Sequence, residues 1–308
     1  MSRGWRTLPL LIVKSLYEKF ESLILELYSN PLSRMGLIII TGFILIAVAA
    51  PLLAPPNYPD PYKIPKVYSS EPLPPSSKHP FGTSGPPGYY DIYYGVIWGT
   101  RISLRISLIV VGVAVAIGVV VGSISAYFGG IIDNILMRIT EVFLSLPGLI
   151  LAMAIASMME RSLQNMILAL IAVWWPAYAR IVRAEVLRVK NEPYVEAAKI
   201  LGLNTYRIIA RHILPNSIYT VLVIASMDLG LVVLVASGLG FLGLGAQPGT
   251  AEWGIMISEG RNWLLQGAWW PVFFPGIAIF LWVLGWSLLG DGLRDVLDPR
   301  TRKRGVLV

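Results

Sequence analysis

The sequence contains no cysteine, and this absence limits the chemistry open to it. Without a thiol, the chain can form no disulfide, hold no thiolate-bound metal and use no cysteine nucleophile. Its two histidines, His79 and His212, lie in segments of different type and suggest no shared metal site. We therefore expect neither a bound metal ion nor a cofactor.

Sequence motifs of catalysis are also missing. No GxxxxGK(S/T) stretch is present, so the chain has no P-loop with which to hold ATP. No HExxH motif and no recognisable Ser/His/Asp set occurs either. We predict that the chain is not an enzyme by itself.

Charged residues are scarce, and apolar residues are abundant. Only 14% of the residues are charged and 55% are apolar, whereas about 25% of the residues of a soluble domain are charged. The apolar residues are collected into runs near or above the roughly 17–20 residues that cross a bilayer. This composition predicts an all-α, polytopic membrane protein embedded in the lipid bilayer. We expect no nucleic-acid partner, because the net charge of +7 is explained by basic residues in cytoplasmic segments.

The apolar runs predict a helical bundle with six transmembrane helices and an N-terminal amphipathic helix. The chain divides into a cytoplasmic amphipathic leader, a first transmembrane helix, an extracytoplasmic loop, a core of five further transmembrane helices and a basic cytoplasmic tail (1–34, 35–54, 55–98, 99–293 and 294–308). A cytoplasmic loop, 184–216, lies inside the core. The third span is expected to start beside Arg138 and Glu141 and to end near Met159. The other core spans are placed at 106–127, 163–181, 217–235 and 271–289.

The distribution of basic residues predicts the orientation of the chain. In transmembrane proteins, Lys and Arg concentrate in short cytoplasmic loops. The loop 246–270 has a single basic residue, Arg261. The loop 184–216 is much more basic (Arg188, Lys190, Lys199, Arg207 and Arg211). We therefore predict a multi-pass protein of the cell membrane, with both termini and the loop 184–216 in the cytoplasm.

The longest strongly polar stretch after the first hundred residues, Asn191 to Asn216, has the pattern helix, turn, helix. Pro193 suits the first position of a helix, where its missing N–H costs nothing. Gly202 stands where a helix needs a left-handed residue just past its end. Asn204 can cap a second helix that starts at Thr205. We predict a first short helix and a second helix from Thr205 onward, joined by a glycine turn.

This stretch resembles the EAA signature of ABC importer permeases, in which E-A-A is followed by G after three residues and by I-x-L-P after nine more. Glu196-Ala197-Ala198, Gly202 and Leu214-Pro215 fall in register, and His212 takes the Ile position. The resemblance implies that the loop docks on a cytoplasmic ATPase, in which case the docking residues are Glu196, Ala197, Ala198, Lys199, Gly202 and Leu203. The alternative is a solvated linker between two membrane helices.

Four further segments resemble the dipeptide, oligopeptide and nickel branch of these permeases. They begin at His79 (H-P-F-G-T), Gly99 (G-T-R-I-S-L), Leu239 (L-G-F-L-G-L-G-A-Q-P, with W-G at Trp253) and Leu289 (L-G-D-G-L-R-D). The resemblance implies a C-type subunit with the MetI-like permease fold. It also implies a second permease subunit, two cytoplasmic ATPases and an extracytoplasmic substrate-binding protein as partners. Peptides are the default substrate, and oligosaccharides and chelated nickel remain open.

Asp228 is an acid placed well inside a predicted span. A carboxylate in mid-membrane costs at least about 2.5–3.5 kcal/mol, so it should face the bundle interior or water. Asp228 could line a translocation pathway or make a hydrogen-bonded contact between helices. If it binds a coupling ion, the chain could instead be a stand-alone secondary transporter.

Glycines at short spacing predict sites of close helix packing. Gly118 and Gly122 lie four residues apart in the second span, so helix backbones can approach there. Packing within the chain is favoured over a dimer seam for this pair. Gly243 and Gly245, after the fifth span, are predicted to serve helix packing as well.

Overall fold

The computed structural model describes residues 24–297, which form an all-helical structure with only isolated β-bridges. Its helices are α1 (Pro31–Leu53), α2 (Ile92–Phe128), α3 (Gly130–Leu144), α4 (Gly148–Ser157), α5 (Leu163–Lys190), α6 (Pro193–Ile200), α7 (Thr205–Ile208), α8 (Leu214–Phe241), α9 (Trp253–Leu264) and α10 (Trp270–Leu297). A π-helical turn, Ile209–Ile213, joins α7 to α8. Residues 24–29, before α1, are also helical. Most of the predicted amphipathic leader and most of the basic tail lie outside the described residues.

Five helical segments of the described chain are long and apolar enough to cross a membrane. They are α1, α2, α5, the continuous Thr205–Phe241 segment and α10. The bent pair α3 and α4 brings the number to six if it counts as one span, as the sequence predicts. Their arrangement is a helical bundle in which α2 packs along α5, α8 packs against α10 and α10 packs against α1.

The third span is not the single continuous helix that the sequence analysis expected. It is broken between α3 and α4, whose axes differ by 86°. Pro147 lies at the break with φ −57° and ψ 124°, outside the helical region. Proline has no N–H to donate and disfavours a helical conformation in the residue before it, here Leu146. Hydropathy does not register such a bend, because the two helices together are apolar enough to be taken for one span.

The second span is longer than predicted and begins inside the expected loop 55–98. Asp91 caps α2 by accepting a hydrogen bond from the backbone N–H of Tyr94 at 2.9 Å. The first turns of α2 are buried against the connecting segments: Trp98 donates to the carbonyl of Ala54 at 2.9 Å, and Trp253 donates to that of Val96 at 3.2 Å. The helix therefore extends beyond its apolar run because contacts within the chain bury its first turns.

Candidate functional site: the coupling segment and the intramembrane acid

Residues 191–208, here called the coupling segment, have the predicted helix, turn, helix geometry. Pro193 opens α6, and Gly202 has φ +72°. The N–H of Gly202 donates to Lys199 at 3.0 Å, and that of Leu203 donates to Ala198 at 3.2 Å. These two bonds are the pattern of a Schellman C-cap. The predicted glycine turn is therefore confirmed.

The second helix is capped as predicted and continues through the π-helical turn into α8. The side-chain oxygen of Asn204 accepts a hydrogen bond from the N–H of Tyr206 at 3.0 Å. An N-cap acceptor satisfies one of the backbone donors that a helix start leaves unpaired. Asn204 therefore fixes where α7 begins and, together with Gly202, the angle between α6 and α7.

One face of α6 is buried and the other is exposed. Val195 and Ala198, three residues apart, are 0% and 4% exposed. Among the predicted docking residues, Ala198 therefore faces the bundle, Leu203 is half-buried, and Glu196, Ala197, Lys199 and Gly202 are exposed. The motif alone did not indicate which of these residues face the bundle and which face outward.

The coupling segment also exposes an apolar surface that the sequence analysis missed. Ile200, Leu201 and Tyr206 are 81%, 79% and 80% exposed. Large apolar side chains exposed side by side on a short polar loop are typical of an interaction surface. Helical spacing could have predicted the exposure of Ile200. It lies four residues after Glu196, on the same side of α6, and away from the buried stripe formed by Val195 and Ala198.

Asp228 joins α8 to α5 through neutral hydrogen-bond donors. Its Oδ2 accepts from the indole N–H of Trp174 at 3.1 Å and from the hydroxyl of Tyr178 at 2.7 Å. Within residues 24–297 it forms no ion pair, and its Oδ1 accepts no hydrogen bond. The geometry therefore provides a helix–helix contact, which was one of the two alternatives considered for this residue.

We expect Asp228→Leu to lower the amount of assembled protein and Asp228→Asn to preserve it. Leucine leaves the donors of Trp174 and Tyr178 without an acceptor, at about 1–3 kcal/mol for each buried unsatisfied group, whereas asparagine keeps an oxygen acceptor. The measurement is the yield of monodisperse protein in detergent, together with substrate uptake. If Asp228→Asn assembled normally but lost uptake, the carboxylate charge itself would be required and the structural role would be wrong.

The four predicted packing glycines occupy two kinds of position. A Cβ on Gly118 would lie 2.9 Å from the backbone N of Ala179, and one on Gly122 would lie 2.5 Å from the carbonyl O of that residue. Both glycines thus lie directly against α5 of the same chain. Gly245 is also closely packed, with a Cβ position 2.9 Å from the sulfur of Met166.

Gly243 corrects the packing prediction. A Cβ there would meet only the guanidinium of Arg161, at 3.7 Å or more, which is ordinary contact. Instead, Gly243 has φ +77°, its N–H donates to Gly240 at 2.9 Å, and the N–H of Leu244 donates to Leu239 at 2.9 Å. These bonds form a second Schellman C-cap, so Gly243 ends α8 rather than packing helices.

Glu252, between α8 and α9, is a buried acid that the sequence analysis did not single out. Its carboxylate accepts from the N–H groups of Gly254 and Ile255 at 2.8 and 2.9 Å and from the hydroxyl of Ser237 at 3.2 Å. Burial raises the pKa of Glu252, and these three hydrogen bonds oppose the rise. Glu252 thus caps α9 and ties it to the end of α8. Its position directly before a helix is the sequence signal that could have identified it.

Comparison with known proteins agrees with this architecture. Residues 118–303 match the family model of the binding-protein-dependent transport system inner membrane component. The chain belongs to this family. Residues 23–75 of the permease match a second model, the N-terminal transmembrane domain of oligopeptide transport permease C. The resemblance to the peptide branch of ABC importer permeases is confirmed.

Curated relatives cover most of the permease. It is 41% identical over 277 residues to the dipeptide transport system permease protein DppC of Alkalihalophilus pseudofirmus, covering 90% of this chain and 88% of the relative. It is also 41% identical over 280 residues to the probable D,D-dipeptide transport system permease protein DdpC of Escherichia coli, covering 90% and 91%. The chain is thus a multi-pass membrane permease subunit of an ABC importer.

A solved structure supports the fold. The permease resembles a chain of the inward-facing MetNI methionine ABC transporter with a TM-score of 0.52 at 20% identity, covering 67% of this chain and 97% of that one. This likeness confirms the predicted all-α, MetI-like fold. None of these matches favours a stand-alone secondary transporter.

Proposed function

We propose that this permease forms half of the translocation pathway of a peptide importer. Its partners would be a second permease subunit, two cytoplasmic ATPases and an extracytoplasmic substrate-binding protein. The proposal of peptides as substrates is supported by the names of relatives that are 41% identical over 90% of the chain. Oligosaccharides and chelated nickel are the competing substrates.

The exposed surface of the coupling segment is the observation that best supports ATP-driven transport by this subunit. Ile200, Leu201 and Tyr206 would bury apolar area on the ATPase, with about 25 cal/mol gained for each Å² removed from water. The exposed Glu196 lies beside them and can accept a charge-assisted hydrogen bond. Gly202 and Asn204 hold these groups in one fixed arrangement, so little conformational entropy is lost on docking.

A cavity of about 500 Å³ between α5, α8 and α10 supports a pathway on this side of the bundle. It is lined by Thr220, Met227 and two basic residues, Arg188 and Arg294, among others. Glu185 accepts from Arg188 at 2.8 Å and from Thr220 at 3.0 Å, and so links the walls of the cavity. The wall combines apolar side chains with polar and charged ones, so it is suited to a solute that carries both kinds of group.

Reconstitution tests the proposed function. The permease is placed in vesicles with the other permease subunit and the ATPases, and the binding protein is added outside. We expect the dipeptide Ala-Ala to accumulate in an ATP-dependent manner and to stimulate hydrolysis. Selective accumulation of maltotriose would show that the substrates are oligosaccharides and not peptides, and selective accumulation of a nickel chelate would show that the substrate is chelated nickel. Uptake that needs no ATPase and follows a proton or sodium gradient would overturn the function.

The proposed orientation is testable because the chain has no cysteine of its own. We expect single cysteines in place of Lys66 or Gln266, both exposed, to react with an impermeant maleimide added outside intact cells. A cysteine at the exposed Arg207 should react only after permeabilisation. The readout is a gel shift of the labelled permease. External labelling at Arg207 would contradict the placement of the coupling segment in the cytoplasm.

A further inference from the structure

Tyr127, in the last turn of α2, contacts residues on both sides of α6: Lys190, the last residue of α5, and Thr205, the first residue of α7. Lys190, three residues before Pro193, donates from Nζ to the carbonyl of Tyr127 at 2.6 Å and to that of Ala126 at 3.1 Å. The same ammonium lies 5.4 Å from the centroid of the Tyr127 ring. On the other side of α6, the Tyr127 hydroxyl donates to Oγ1 of Thr205 at 3.3 Å.

The hydrogen bonds of Lys190 are stronger than ordinary surface hydrogen bonds, whereas that between Tyr127 and Thr205 is long, at 3.3 Å. The last carbonyls of a helix have no partner within it and carry the negative end of its dipole, so a lysine ammonium is favoured there. Gly129, with φ +66°, ends α2 and leaves those carbonyls free for Lys190. All three side chains are half-buried, so water screens the contacts only partly.

Beyond Tyr127, α2 is firmly attached to α5. Gly118 and Gly122 place the backbones of the two helices in direct contact. Near the same end, Arg183 of α5 forms a bidentate ion pair with Asp133 of α3, with both N–O distances at 2.6 Å, and Asp133 also accepts from Ser125 of α2. A displacement of Tyr127 is therefore shared by α2, α3 and α5.

The coupling segment is otherwise attached mainly by apolar side chains, which include Ile208 of α7, 2% exposed. Val195 and Ala198 are the buried side chains of α6, and its N-cap Glu192 makes no side-chain capping bond. The side chain of Asn191 donates to the carbonyl of Leu187 at 3.2 Å and ties the segment to α5, whereas Thr205 provides its side-chain hydrogen bond to α2, through Tyr127.

We propose that Lys190, Tyr127 and Thr205 form a clamp that transmits movement of the coupling segment into the α2–α5 pair. The inference rests on the proposed function, in which an ATPase moves this segment. The three residues are positioning residues: they touch neither substrate nor nucleotide, and they determine how much of each movement reaches the spans. Without the clamp, α6 can follow the ATPase while α2 stays in place.

The test measures coupling in the complete importer in vesicles, with Ala-Ala as the probe. We expect Lys190→Met to retain its ATPases and to hydrolyse ATP, but to import roughly tenfold less dipeptide per ATP, the factor expected when a charged donor loses its acceptors. Tyr127→Phe, which removes only the hydroxyl that reaches Thr205, should lower the ratio severalfold. Lys190→Arg keeps the cation and should restore most of the coupling.

Matched controls separate the clamp from general damage. Lys78→Met and Tyr68→Phe make the same chemical changes at exposed positions on the loop before α2 and should leave the ratio unchanged. A wild-type ratio in both Lys190→Met and Tyr127→Phe would overturn the clamp, as would loss of bound ATPases that Lys190→Arg does not reverse. If Lys190→Met is not assembled, Tyr127→Phe decides alone. A wild-type complex without ATP-dependent uptake would instead overturn the proposed function, and the clamp with it.

Discussion

Replacement of Gly202 by arginine is expected to abolish productive contact with the ATPase while leaving the membrane bundle intact. Gly202 has φ +72°, a conformation that costs an L-residue about 1 kcal/mol or more. Within residues 24–297, no atom outside its immediate chain neighbours lies within 4 Å of the position that a Cβ would take, so the new side chain meets no obstacle where it leaves the backbone. It would instead occupy the surface beside Leu201 that we assign to the ATPase.

Charge reversal at Glu196 should act on the same surface by another route. Glu196→Lys replaces an exposed hydrogen-bond acceptor by a cation, and a hydrogen bond to a charged group contributes roughly 1.5–3 kcal/mol. For both variants the measurements are co-purification of the ATPases and dipeptide-stimulated hydrolysis in vesicles. We expect each to fall by about tenfold or more, with normal membrane insertion.

Two control variants sharpen this prediction. Gly202→Asn should retain most of the coupling, because asparagine tolerates the left-handed conformation and is small. Glu160→Lys makes the same charge reversal at an exposed position between α4 and α5 and should have no effect. If Gly202→Arg and Glu196→Lys both behaved as wild type, residues 193–202 would be a linker, and the ATP-driven mechanism would lose its main support.

The second large effect is expected at the interface of α2 with α5. Gly118→Leu and Gly122→Leu would each force a side chain into backbone atoms of α5, where even a Cβ lies 2.5–2.9 Å from Ala179. Overpacking of this kind typically costs 1–3 kcal/mol, and here the obstacle is backbone that cannot rotate away. We expect lower unfolding temperatures in detergent and strongly reduced yields of assembled protein.

Gly112→Leu is the matched control for this experiment. Gly112 lies in the same helix, and no atom is within 4 Å of its Cβ position. Leucine also has the higher helix propensity, so the substitution should be neutral or stabilising for the isolated subunit. Equal unfolding temperatures for the Gly112, Gly118 and Gly122 variants would mean that α2 and α5 do not depend on close backbone contact.

Local sequence chemistry predicted the coupling segment well. Pro193, Gly202 and Asn204 each act within a few residues of the chain, through a fixed φ, a left-handed turn and a side-chain cap. Such features do not depend on distant partners, so they can be read without a structure.

Contacts between distant residues could not be predicted in this way. Lys190 counted only as one more cytoplasmic charge, because nothing near it indicates the carbonyls of Ala126 and Tyr127. The partners of Asp228 were equally hidden, since Trp174 and Tyr178 lie on another helix. The sequence indicated that this acid needs a hydrogen-bond partner, but it did not indicate which residue is that partner.

Glycine spacing was ambiguous for a related reason. Gly118 permits backbone contact and Gly243 permits a positive φ, and both roles arise from the missing Cβ. Only the position of the helix end distinguishes them, and hydropathy located that end imprecisely. α8 continues to Phe241, whereas the apolar run indicated an end near Val235.

The length of α2 has a mechanical consequence. At 1.5 Å per residue, its 37 residues form a rod of about 55 Å, nearly twice the roughly 30 Å hydrocarbon core of a bilayer. One end is held by Asp91 among the connecting segments, and the other ends beside Tyr127. A rod of that length acts as a lever: a tilt of about one degree displaces its far end by about 1 Å. Small rotations at the Tyr127 end of α2 can therefore displace its Asp91 end without any change in the helix itself.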